Sequence, residues 1–189
     1  WRDQRTPQES SKSIYQSINC IGSKMEVGGS TKFRENIAFD LYMRAKENPE
    51  RIGVIYEDGE HLTYGEWEAR AAKCASVLMN DLNLKKGDRV ALYLQNSLDL
   101  VCLLFGCWKT GIVPVTLSVM YNSDELASAL EKTAPRAIFV HAKQYGNVVK
   151  GISTLKLIDT LQIAVLGADI SQVYEETVLD FSEKIKTAR

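Results

Sequence analysis

The sequence predicts an α/β fold: a mostly parallel sheet flanked by helices, with an antiparallel hairpin at its edge. Three observations carry this. Strand-like apolar runs alternate with helical stretches at least four times between residues 36 and 166, the pattern of parallel strands joined by helical crossovers. Asp58-Gly59 separates the short runs 52–56 and 61–63, and Asp-Gly tolerates the positive φ that a tight hairpin needs. The composition, 45% apolar and 25% charged over 189 residues, is that of an ordinary globular protein of one domain or slightly more. Folding at this length hides roughly 70% of the unfolded surface, so a core forms without staples.

Residues 1–33 are polar, rich in Ser, Lys and Gly, and read as an N-terminal extension. The regular pattern starts at Asn36, a helix cap, with Ile37, Leu41 and Ala45 as the inward positions. Asn48-Pro49 ends that helix, because the residue before proline avoids the helical region. After the hairpin, Thr63-Tyr64-Gly65-Glu66 is a capping box. It opens a helix whose apolar face is Trp67, Ala71, Cys74, Ala75, Leu78 and Met79. Lys85-Lys86-Gly87-Asp88 is a turn into the strand 89–94. Asn96 or Ser97 caps the next helix, which is apolar nearly all round, and Gly111 suits its left-handed end. A strand at 112–117, a helix capped by Ser123, strands at 137–140 and 161–166 and a helix near 144–154 complete the series. Residues 171–189 are polar and mixed.

Several function classes fall away. A net charge of -1 gives no electrostatic case for nucleic acid or an anionic membrane. No apolar run reaches the length of a membrane span. Cys20, Cys74, Cys102 and Cys107 form no C-x-x-C pair, and His61 and His141 alone could join them at a metal, so no metal site is expected. Apolar surroundings make Cys74, Cys102 and Cys107 buried free thiols. With no signal peptide pattern, the expected setting is intracellular, cytoplasmic or peripheral on an organelle membrane, and not secreted. Trp1 and Arg189 read as the ends of a piece of a longer chain.

The search for chemistry gives candidates that fail on context. Leu94-Gln95-Asn96-Ser97 runs from strand to helix but holds no glycine, and Gly28-Gly29-Ser30-Thr31 has glycines but no strand before it. Phosphate loops need both, so that bare backbone amides approach the anion. Ser97 reads as a cap and not as a nucleophile. His141 closes a strand at the carboxyl edge of the sheet, where open α/β folds place ligands, but no titratable partner stands beside it in sequence. Asp58, Glu60, Glu66 and Glu68 fall on a turn and a helix start, where carboxylates favour the dipole. Lys85, Lys86 and Arg89 read as a solvated turn, and Tyr64 with Trp67 as a core anchor. No catalytic, cofactor-binding or metal residue is expected among these 189.

Leu62-Thr63-Tyr64-Gly65-Glu66-Trp67 resembles the L-T-Y-x-E-L element of adenylate-forming (AMP-binding) enzymes, the acyl-CoA synthetases, luciferases and peptide-synthetase adenylation domains. Lys86-Gly87-Asp88-Arg89-Val90-Ala91-Leu92 resembles their K-G-D-x-V-A-L, Asn96-Ser97 their N-S-x-E segment, and the stretch from Trp108 to Val115 their L-K-A-G-A-x-x-V-P. Asn36-Ile37-Ala38 with Asn48-Pro49 is similar to their lead-in helix, and Glu125-Leu126 and the strand at 137–140 follow in order. The resemblance spans residues 34–170. The sequence departs from the pattern at Trp67, at Asp99 and across Thr116-Leu117-Ser118, which leaves the subfamily open.

The resemblance implies that residues 34–189 form the first subdomain of such an enzyme's N-terminal domain, truncated before the phosphate loop. The full-length parent is expected to activate a carboxylic acid, fatty or aryl, as acyl-adenylate and pass it to CoA. ATP, Mg2+ and CoA are its expected cofactors, and the rest of the ligase chain is the expected partner of these residues, which are inactive alone. The alternative is a non-catalytic binding or scaffold module derived from the same fold. A third reading is an unrelated α/β enzyme using His141.

Overall fold

A computed structural model of the 189-residue chain describes residues 36–57, 59–153, 155, 161–167 and 178–188. The extension 1–33, with Cys20 and Gly28-Gly29-Ser30-Thr31, lies outside the described residues, as does Asp58.

Helix α1 (Ile37–Glu47) starts where the Asn36 Oδ1 accepts from the Ala38 amide at 2.9 Å. Its buried face is Ala38 and Leu41, and Ile37, expected inward, is 55% exposed. Strands β1 (Ile52–Ile55) and β2 (His61–Thr63) pair antiparallel through a turn in which Gly59 takes φ 80°. Helix α2 (Tyr64–Ser76) opens on the expected capping box and widens into a π turn over Val77–Asp81. That turn leaves Met79 exposed while Leu78 stays buried.

Strand β3 (Arg89–Tyr93) leads to α3 (Leu98–Thr110), capped by Ser97, whose Oγ accepts from the Leu100 amide at 3.1 Å. Gly111 ends α3 at φ 72°, a conformation that costs glycine least. Then come β4 (Val113–Thr116), α4 (Ser123–Thr133) and β5 (Ala137–His141). A 3-10 turn (Ala142–Gln144), α5 (Tyr145–Ser153) and β6 (Gln162–Leu166) follow. The cap of α4 is Asn122, not Ser123: its Oδ1 accepts from Asp124 and Glu125, and the Glu125 carboxylate accepts from the Asn122 amide.

The stretch expected to be merely polar holds two more elements, β7 (Val178–Asp180) and α6 (Phe181–Thr187). Phe181 is fully buried edge-on against Phe139. Asp180 caps α6 by accepting from the Glu183 amide at 3.0 Å.

The five parallel strands run in the order β4-β3-β5-β6-β7. Alternate residues face opposite sides. Val90 and Leu92 join Leu103, Cys107 and Phe139 under α2 and α3. Ala91 and Tyr93 join Leu126, Leu130 and Val148 under α4 and α5. Both faces are covered, as parallel sheets require. Pro114 stands on the outer strand β4, where the Val113 amide donates to the Asp88 carbonyl and the Leu117 amide to that of Leu92; there its missing N–H interrupts nothing. The hairpin is not an edge of this sheet. It is a separate two-stranded sheet against α2, placed by Leu62, which is buried in the α2–α3 core.

Candidate functional site

At the carboxyl edge of the sheet the buried Tyr93 ends β3. Its hydroxyl lies 2.9 Å from the Tyr121 carbonyl and 3.2 Å from that of Val119, so one proton serves two acceptors. The Asn147 amide, from α5, donates to the Tyr93 hydroxyl and to the Tyr121 carbonyl, each at 2.9 Å. This clamp fastens the loop between β4 and α4 and leaves Met120 86% exposed.

The β3–α3, β4–α4 and β5–α5 junctions hold no glycine between strand and helix. At the first, the Ser97 Oγ is committed to its cap. These residues do not fit a nucleotide's phosphates, which need open amides and glycine backbone. His141 does close β5 at this edge, and no ring hydrogen bond is found for it among the described residues. His61 lies away from it on the hairpin, with Nδ1 3.1 Å from the Gly59 carbonyl.

The acidic group divides. Glu66 serves the α2 cap, accepting from the Thr63 amide at 2.9 Å. That bond, more than the Arg70 charge, holds its carboxyl below the usual range. Glu68, read from sequence as a helix-start carboxylate, is buried, its Oε1 2.6 Å from the Lys109 Nζ on α3. Burial pulls Lys109 below the usual lysine range, and Glu68 opposes that shift. The helical spacing Glu68, Ala71, Ala72, Ala75 places this carboxylate on the buried alanine stripe of α2; this is the signal that would have found it.

Arg89 is not simply solvated. Its Nε donates to the Thr133 carbonyl and its Nη2 to that of Ala134 at 3.2 Å, closing the end of α4. Tyr64 and Trp67 stack at 6.4 Å, and Phe105 meets Trp67 edge-on at 4.6 Å. That is the anchor the spacing implied.

A cleft of about 530 Å³ opens between α2, α3 and α6, with Arg70, Lys73 and Lys186 among its walls and Cys74, Cys102 and Phe181 at its floor. Burial pushes the Cys102 and Cys107 thiols up to about 12 and that of Cys74 well above its usual value. Thiols so raised are poor nucleophiles at neutral pH. Among the described residues no cluster of three or more His, Cys, Asp or Glu could hold a metal, and no helix is long and apolar enough to cross a membrane.

A central parallel sheet, helices on both faces, a detached hairpin and a clamped carboxyl edge define an α/β domain. The model of the AMP-binding enzyme family matches residues 41–188, and the chain belongs to that family. Human long-chain fatty acid transport protein 6 is 33% identical over 144 residues, which are 76% of this chain and 22% of that protein. A long-chain-fatty-acid–CoA ligase of Haemophilus influenzae is 33% identical over 117 residues, 59% of this chain and 21% of the ligase. The chain thus spans about a fifth of the length of these relatives. Among solved structures, the N-terminal domain of FACL13 from Mycobacterium tuberculosis is similar at 25% identity with TM-score 0.69. The match covers 82% of this chain and 37% of that one. The acyl-CoA synthetase of Brucella canis shares the fold at TM-score 0.70 and 16% identity, over 96% of this chain and 32% of the synthetase.

Proposed function

We propose that residues 34–189 are the first subdomain of a longer ATP-dependent acid–thiol ligase, with residues 1–33 as an extension before it. One observation carries this reading: the family match runs from 41 to 188, yet the chain covers 22% of the human relative. The parent activates a carboxylic acid, fatty or aryl, as its adenylate and transfers the acyl group to CoA. Its fatty members are favoured by the names of the relatives. A carboxylate is a poor electrophile until one oxygen becomes a good leaving group, and ATP with Mg2+ supplies that change. The described residues contribute no step to it. They build the sheet, fix its carboxyl edge through Tyr93 and Asn147, and pack against the rest of the ligase. Three buried thiols that stay free suit an intracellular setting, in the cytoplasm or on an organelle surface.

ATP–pyrophosphate exchange tests the reading. The full-length parent exchanges label in the presence of its carboxylic acid, and the 189-residue chain does not. A parent inert toward every carboxylic acid class would leave the scaffold reading in its place.

A further inference from the structure

The hairpin is held on one side only. Its inner side is anchored: Leu62 is buried, Val54 packs on the same core, and a Cβ on Gly53 would stand 2.9 Å from the Tyr64 ring. Its outward residues are Ile52, 48% exposed, and Ile55, 67% exposed. Large β-branched residues fit half-buried pleated surfaces, and these two have no cover among the described residues.

The backbone edge is open as well. In an antiparallel pair, successive residues point their N–H and C=O alternately toward and away from the partner. The Tyr56 amide donates to the Glu60 carbonyl at 2.7 Å, so Ile55 turns its N–H and C=O away from β2. Among the described residues β1 pairs with β2 alone. The far side of β2 differs, because the Thr63 amide is taken by the Glu66 carboxylate. One edge of the hairpin is therefore closed at Thr63 by its own helix cap, and the other has no partner among the described residues. Two strands alone are marginal in water, and a third lends independent stability.

What lies outside the chain says what covers this edge. The matched part is 37% of a solved N-terminal domain, so most of that domain's polypeptide lies elsewhere. A domain closes around its core in packed layers, and the missing polypeptide must cover surfaces that this part leaves open.

The geometry points to the free edge of β1 at Ile55 as a strand-addition site, filled by a strand from the portion of the parent ligase outside residues 1–189. Main-chain bonds at Ile55 hold the added strand, and Ile52 and Ile55 are covered by the apolar residues that accompany it. The inference rests on the proposal that the parent is longer.

Amide hydrogen exchange tests it directly, on the 189-residue chain and on the full-length parent. The Ile55 amide exchanges rapidly in the chain alone and at least about 100-fold more slowly in the parent. Equal, rapid exchange in both would overturn the proposal. So would protection already present in the 189-residue chain: if lost on dilution it assigns the edge to a second copy, and if lost on deleting 1–33 it assigns the edge to the extension. A variant supplies a second readout. Ile55→Pro removes an outward donor without breaking the β1–β2 ladder, so it lowers the melting temperature of the parent and leaves that of the 189-residue chain nearly unchanged; equal effects on both count against strand addition. Pyrophosphate exchange on the same parent sample keeps the two readings apart. Exchange activity without Ile55 protection removes only the strand proposal, and protection without activity removes only the ligase reading.

Discussion

The Lys109 Nζ and the Glu68 Oε1 stand 2.6 Å apart between α3 and α2, with 0% and 9% of their side chains exposed. Removing either side chain breaks this buried ion pair. Lys109→Met is expected to destabilise the chain by about 3–5 kcal/mol, as for other broken buried pairs. Glu68→Leu combined with Lys109→Met recovers most of that loss. Urea unfolding midpoints of the two single variants and the double variant read this. A double variant no more stable than Lys109→Met would show that the pair is not the source.

At Gly106 the backbone of α3 lies close against α2. A Cβ there would lie 2.6 Å from the Cys74 Cβ and 3.1 Å from the Ala75 amide nitrogen. Both obstacles are attached directly to backbone and cannot swing away. Gly106→Ala is expected to cost about 1–3 kcal/mol by overpacking, despite alanine's better helix propensity. Thermal unfolding checks the sign, since a rise in melting temperature would mean that the two helices can part without loss.

The Glu66 carboxylate titrates in the folded chain below its ordinary 4.5, chiefly through its bond to the Thr63 amide. A carboxyl lowered by folding contributes stability that is present above its unfolded pKa and lost as pH falls through the folded one. Glu66→Gln keeps an acceptor for the Thr63 amide but loses the charge, so it is expected to be less stable than the original sequence at pH 7 by roughly 0.3–1 kcal/mol, the worth of a carboxylate at a helix N-terminus. The difference shrinks as pH falls below 4.5. Denaturation at pH 7 and pH 3 measures it, and a gap that widens in acid would contradict the assignment.

Tyr93→Phe keeps the ring and removes the hydroxyl that ties Val119, Tyr121 and Asn147 together. The expected loss is about 1–2 kcal/mol, with the Asn147 amide left one acceptor short. In a double-mutant cycle with Asn147→Ala the two losses overlap instead of adding. Full additivity would mean that the clamp is not one unit.

The thiols of Cys74, Cys102 and Cys107 are expected to resist alkylation at pH 8 in the folded chain and to react on unfolding. Burial both shields them and raises their pKa, to about 12 for the last two. Mass mapping of alkylated peptides with and without urea tests each position. Rapid labelling of Cys102 under native conditions would show that the neighbouring cleft admits reagent to its floor.

The alternation of strands and helices was legible because it is local: apolar period, Asn48-Pro49, the Thr63/Glu66 box and Gly111 all act within a few residues. The family elements were legible for the same reason. Asn122 and Ser123 are both good acceptors, so the sequence alone does not tell which caps α4; the path of the preceding loop decides for Asn122. Strand β7 has three residues, too few for any period to show. Glu68 was visible on an alanine stripe, but its partner sits 41 residues away on an otherwise apolar helix. The Tyr93 clamp had no local sign, because two of its acceptors are backbone carbonyls 26 and 28 residues distant. Arg89 likewise reaches carbonyls 44 and 45 residues on.

The strand order has a consequence for synthesis. β3 is made first, β4 settles on one flank, β5 on the other, then β6 beside β5 and β7 beside β6. Each strand after β3 finds its neighbour already laid down. The sheet can therefore widen outward while the ribosome adds roughly 5–20 residues per second, and none of these five strands has to be threaded between two already paired.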